Sequence, residues 1–180
     1  VYIQNILIST YGYNLNKSRY GDRYNIELAA FKDRESYTSQ KWREYQTVEL
    51  RKLLIHAFSS VPYYNKTYKK HGFNLTNFDK FELEDLHKLP FLEKEDFRKY
   101  GKTSLLSKKK SKGPFISSSG STGTPTSTYY SDNFIQTWFA AYESRVRNWA
   151  GVNLNMNRGM IGGKQIINEP NALPPYFRYN

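Results

Sequence analysis

Ser117 to Ser127 reads Ser-Ser-Ser-Gly-Ser-Thr-Gly-Thr-Pro-Thr-Ser, a run of hydroxyls broken by two glycines and one proline. It separates two β-prone pieces, Phe115-Ile116 and Thr128-Tyr129-Tyr130, so the chain must turn within it. Gly120 and Gly123 permit positive φ, which lets successive backbone N–H groups curl toward one point. Ser119, Ser121, Thr122 and Thr124 add hydroxyl donors around that point, and Pro125 stiffens the exit. A concavity of this kind suits a polyphosphate. A flexible linker would have the same composition, but a linker does not lie between strands that lead into an amphipathic helix.

That helix is predicted from Asp132, an N-cap residue, to about Ala150, with Phe134, Trp138, Ala141, Tyr142, Val146 and Trp149 on its apolar side and Gly151 at C′. Upstream, Leu50, Leu53, Leu54, Ala57 and Phe58 form one stripe of a helix over residues 40–59, which Ser59, Ser60 and Pro62 end. A short helix over 63–70 follows and stops at Gly72. Leu83, Leu86 and Leu89 recur every three residues in a one-to-two-turn helix before Pro90. Residues 93–100 have acids first and bases last, the order a helix dipole favours. Lys108-Lys109-Lys110-Ser111-Lys112 reads as a mobile basic loop, and Gly159-Met160-Ile161-Gly162-Gly163 as a buried strand.

The pattern is α/β: a helical N-terminal region leading into the start of an α/β domain. Three regions follow from it: residues 1–40 as an irregular N-terminal segment, 41–112 as a helical region, and 113–180 as the incomplete start of an α/β subdomain. The opening Val1 without an initiator Met, and an ending directly after Pro174-Pro175-Tyr176, point to a piece of a longer chain.

The formal charge of +11 favours polyanionic ligands. The absence of cysteine rules out disulfides and thiolate metal sites. No apolar run approaches the roughly 20 residues that span a bilayer, and Val1–Ile8 lacks the basic flank of a signal peptide, so a cytoplasmic location is expected. His56, His71 and His87 have no metal-ligand spacing and read as structural or surface residues, as do Arg145 and Arg147 on the last helix. Glu93, Glu95 and Asp96 read as a dipole-favoured first turn.

No Gly-Lys-Ser/Thr follows Gly123 as a Walker A loop would need, and no close Gly-x-Gly pair makes a dinucleotide fingerprint. Ser118-Ser119-Gly120-Ser121-Thr122-Gly123-Thr124-Pro125-Thr126 instead resembles the phosphate-binding signature of the adenylate-forming superfamily, the acyl- and aryl-CoA synthetases. Val61-Pro62-Tyr63-Tyr64, Asp85-Leu86 to Leu89-Pro90, Lys94-Glu95-Asp96-Phe97-Arg98 and Pro174-Pro175-Tyr176 resemble the phenylacetate–CoA ligase-like branch, which includes members associated with capsular polysaccharide synthesis.

The resemblance implies ATP, Mg and coenzyme A as cofactors and acceptor, and a small carboxylic acid as substrate. It also implies that the C-terminal part of the same polypeptide is a missing partner, and it gives no role to a specific nucleic acid or a membrane span. Ser118, Ser119, Gly120, Ser121, Thr122, Gly123, Thr124 and Thr126 would bind the ATP phosphates. In the superfamily the Mg-binding acid and the catalytic Lys lie farther along the chain, so no catalytic or metal residue is assigned here and these residues alone are expected to be inactive. Thr126 stands where many members have Lys; Lys108, Lys109, Lys110 or Lys112 are candidates to supply that charge. The basic, Tyr-rich composition leaves a rival class: a non-catalytic module for nucleic acid or anionic polysaccharide.

Overall fold

The computed structural model describes residues 2–118 and 125–156. It divides into two compact units, Asp33–Asp132 and Val1–Lys32 with Asn133–Asn180.

The Asp33–Asp132 unit is built on α3 (Ser39–Ser60), whose N-cap Thr38 accepts from the Lys41 amide. Val61 and Pro62 break it and start α4 (Pro62–Lys70), with Pro62 in the first turn where no N–H is needed. The Asn65 side chain donates to the Phe58 carbonyl at 2.7 Å across this corner. Gly72, at φ 82°, ends α4 by a turn that side-chain-bearing residues rarely adopt. Asn74 and Asn77 cap α5 (Leu75–Asp79) reciprocally.

The apolar stripe of α3 buries Leu54, Ala57 and Phe58 against Tyr68, Phe78 and Phe81. Leu53, expected on the same stripe, is exposed. Phe78 is wholly buried and its ring lies 5.3–5.9 Å from those of Phe58, Tyr68, Phe73 and Phe81. Rings thus provide most of the core volume in a chain of low apolar content. Leu83–Lys88 is a 3₁₀ helix, so its leucines recur every three residues because the turn itself does. α6 (Lys94–Tyr100) follows, and the unit ends in a two-stranded antiparallel sheet, β1 (Phe115–Ser117) and β2 (Ser127–Tyr129).

The second unit differs from expectation. The segment read as irregular is helical: α1 (Tyr2–Arg19) and α2 (Asp22–Asp33). Ile3, Ile6, Leu7 and Tyr11 of α1 stand at helical spacing yet are exposed, and the poor helix formers Ser9, Thr10, Gly12, Asn14 and Asn16 interrupt the pattern. α7 (Asp132–Tyr142) runs on as a π-helical turn over Glu143–Arg147, and Gly151 ends the segment at φ 75°. The rings read as its core face, Phe134, Trp138, Tyr142 and Trp149, are exposed among the described residues. The buried positions are Ala140, Glu143 and Ser144.

Those small and polar residues face a compact polar cluster. Glu143 pairs with Arg147 at 2.8 Å and accepts from the Leu154 amide at 2.7 Å. Tyr20 packs edge-on against Tyr24 and Phe139, and the Gln136 side chain accepts from the Tyr24 amide. Burial, with the Glu143 carboxylate nearby, pushes the Tyr24 phenol up to about 12.

Candidate functional site

The hydroxyl-rich run is held by a hydrogen-bonded stem. Phe115 stands opposite Tyr129, Ile116 opposite Thr128 and Ser117 opposite Ser127. Alternation puts the Phe115–Tyr129 ring pair, 5.2 Å between centroids, on the same face as the Ser117–Ser127 hydroxyl contact of 2.8 Å. Pairing continues one step past the strands. The Ser118 amide donates to the Thr126 carbonyl at 2.9 Å, and the Thr126 amide donates to Ser118 Oγ at 3.1 Å. The Ser118 and Thr126 hydroxyls lie 3.3 Å apart. The stem therefore closes at Ser118–Thr126, and residues 119–125 are what it closes.

Three structures frame that stem. On one side, Tyr63 Oη donates to Asp96 Oδ2 at 2.8 Å, and the Tyr63 amide donates to the Ser104 carbonyl at 2.9 Å. Burial, then the bonded Asp96 carboxylate, pushes the Tyr63 phenol up to about 12. Two stretches singled out in the sequence, 61–64 and 94–98, thus meet in one clamp that ties α6 to α4. The chain leaving α6 then passes close to β2: a Cβ on Gly101 would lie 2.5 Å from the Phe97 carbonyl oxygen and 3.5 Å from that of Ser127.

The third part of the frame is the lysine segment. It was expected to be a mobile loop, yet main-chain bonds hold it at both ends. The Lys108 amide donates to the Ser60 carbonyl at 2.7 Å, and the Lys112 carbonyl accepts from the Asp132 amide at 2.9 Å. Between them, Tyr129 Oη donates to the Ser111 carbonyl at 2.6 Å, and the Tyr130 amide donates to the Pro114 carbonyl at 2.9 Å. Gly113 makes this seat possible, because a Cβ there would fall 1.9 Å from the Tyr130 carbonyl oxygen. No side-chain pattern advertises these ties, which are almost all made by carbonyls.

Of the predicted phosphate-binding residues, Ser118 and Thr126 are placed, facing each other at the top of the stem. Ser119, Gly120, Ser121, Thr122, Gly123 and Thr124 lie outside the described residues, as do the strand expected at 159–163 and Pro174-Pro175-Tyr176. His71 and His87 bond to carbonyls one helical turn back, those of Thr67 and Glu84. Arg145 donates to the Phe31 carbonyl and Arg147 pairs with Glu143, so both tie their own unit together. Among the described residues no group of His, Asp or Glu could hold a metal ion, and no helix is long and apolar enough to cross a membrane.

No protein-family model matches the chain. It is 30% identical over 148 residues to the phenylacetate-coenzyme A ligase of Pseudomonas putida, an alignment covering 78% of this chain and 33% of that protein. It is 29% identical over 123 residues to the phenylacetate-coenzyme A ligase of Thermus thermophilus, covering 68% of this chain and 27% of that protein. The chain thus spans about a third or less of the length of these curated relatives. The likeness supports an adenylate-forming ligase-like relationship.

Proposed function

We propose that these residues are the N-terminal part of an ATP-dependent carboxylate-activating ligase and that the stem-closed run Ser118–Thr126 is its phosphate-binding loop. The observation that carries this reading is the stem. Ser118 and Thr126, which flank the hydroxyl- and glycine-rich run, are bonded to each other inside a chain 30% identical over 148 residues to a phenylacetate-coenzyme A ligase, and this supports the reading.

In the proposed reaction a carboxylate oxygen attacks the α-phosphorus of ATP. The bond to the bridging oxygen breaks, and pyrophosphate leaves with the electron pair, giving an acyl-adenylate. A thiol sulfur, that of coenzyme A by resemblance, then attacks the acyl carbon and releases AMP. Negative charge grows on the leaving pyrophosphate in the first step. Backbone N–H groups around Gly120 and Gly123, with the hydroxyls of Ser119, Ser121, Thr122 and Thr124, stabilise that charge and hold the leaving group in line. The Ser118 amide is already committed to Thr126, so these two residues seat the loop and offer the phosphates their hydroxyls alone. Mg²⁺ would shield the phosphates, and the resemblance puts the acid that would hold it farther along the chain. A small carboxylic acid substrate, a cytoplasmic location and a role in capsular polysaccharide synthesis rest on the same likeness, as does completion of the site by a C-terminal part.

The test is exchange of labelled pyrophosphate into ATP by the full-length gene product, screened across small aliphatic and aromatic acids. Acid-dependent exchange that falls at least about tenfold in Gly120→Val and Thr122→Val, with an unchanged unfolding midpoint, supports the reading. Exchange that persists in both variants contradicts it.

A further inference from the structure

Between Phe97 and Ser131 the chain has seven lysines and arginines and not one Asp or Glu. Most of the net charge of +11 is therefore gathered in the 35 residues that build and flank the stem. Arg98 of this group pairs with Glu95. Lys102, Lys108, Lys109, Lys110 and Lys112 are exposed and form no ion pair with any described residue. Lys102 instead stands over the ring of Phe115 on β1, 5.7 Å from its centroid.

Unpaired surface lysines are usually a solvated face. These differ because their backbone is fixed, at Lys108 against the Ser60 carbonyl at the end of α3, and at Ser111 and Lys112 against Tyr129 and Asp132 at the base of the stem, beside the close passage at Gly113. Four lysines crowded into five positions repel one another, and their segment is nonetheless seated beside the base of the stem, where Asp132 is the neighbouring acid through its amide bond to the Lys112 carbonyl and none of the four lysines is in an ion pair with a described residue. A polyanion at the stem relieves that repulsion. Among the described residues it is Thr126, and not a cation, that stands at the mouth of the stem, with its hydroxyl facing Ser118.

We propose that the Lys108–Lys112 strap is a polyphosphate-binding element that supplies from outside the loop the positive charge missing at Thr126. The strap rests on described residues alone, but its assignment to a nucleotide polyphosphate rests on the ligase reading. Lysines suit this task as mobile point charges that follow the phosphates as the α–β bond breaks, and the pinned backbone limits how far they stray.

The test is calorimetric titration of the 180-residue chain with inorganic pyrophosphate. It compares wild type, the strap variant Lys108→Gln/Lys109→Gln/Lys110→Gln/Lys112→Gln, and a control of equal charge loss, Lys52→Gln/Lys66→Gln/Lys70→Gln/Lys80→Gln. A four-Arg strap and Gly120→Val complete the set. Loss of at least about tenfold in affinity in the strap variant, with less than about twofold in the control and near-full retention in the four-Arg strap, supports the proposal. Equal losses in strap and control variants, or an unchanged strap variant, overturn it. If only Gly120→Val weakens binding, the loop reading stands and the strap does not; if only the strap variant does, the strap stands and the loop reading falls. No pyrophosphate binding by wild type overturns both. A single-stranded oligonucleotide that binds more tightly and displaces pyrophosphate overturns the polyphosphate assignment in favour of nucleic acid.

Discussion

The ring cluster around Phe78 and the stem that closes at Ser118–Thr126 lie in the same unit and are held by opposite means. The cluster is apolar, reaches across α3, α4, α5 and the segment after it, and excludes water from Phe78 entirely. The stem leaves Phe115 and Ile116 of β1 exposed and depends on backbone bonds, hydroxyl ties and close passages at Gly101 and Gly113. Dispersion and burial make the first robust. The second gains little from burial, and a two-stranded hairpin is marginal alone, so it must borrow its order from the clamp and the strap. The difference separates stability from function: damage to the cluster should unfold the unit, whereas damage to the stem should spare the fold and alter what the loop does.

The largest expected effect is at the cluster. Phe78→Ala removes a wholly buried ring with four ring neighbours and should cost about 3–5 kcal/mol in denaturant unfolding. A loss below about 1 kcal/mol would mean that the cluster does not hold the unit. Next is Gly113→Ala, which forces a methyl group into the Tyr130 carbonyl. Amide exchange at Tyr130 and Asp132 should accelerate markedly while that of Leu54 and Phe58 stays protected; uniform acceleration would make the stem part of the core.

A smaller effect is expected from Tyr63→Phe. It leaves Asp96 without its donor and should cost about 1 kcal/mol. It also has a pH signature. Tyr24, Tyr63 and Tyr68 are each raised to about 12 in the folded chain, first by burial. Because the folded state holds these protons more tightly, their contribution is fully present below about pH 10 and is lost as pH rises toward about 12. Unfolding midpoints followed with tyrosinate absorbance should fall across that window, less steeply in Tyr63→Phe. Smallest is Thr126→Val, which loses one exposed hydroxyl contact and should cost less than about 1 kcal/mol.

What could be read from the sequence follows the same division. The α3 stripe was legible because Leu54, Ala57 and Phe58 recur with the helix and are buried. The stem was legible from β-prone flanks around a turn-forming run. α7 was misread on one face: its rings keep helical period, but the helix packs through Ala140 and Ser144 and around the Glu143–Arg147 pair, and a polar, small-residue face has no hydrophobic signal. The clamp was half visible, since both of its stretches stood out while their meeting at Tyr63 and Asp96 is a matter of tertiary structure. The strap was seen as charge alone, because the carbonyls that pin it are common to every residue type.

The measurement that bears most directly on the account is the map of backbone amide shifts when inorganic pyrophosphate is added to the isotopically labelled chain. The account predicts changes concentrated between Lys108 and Asp132, largest from Ser118 to Thr126, with Leu54, Phe58, Tyr68 and Phe78 unmoved. Shifts scattered over the basic surface, or centred away from the stem, would contradict it.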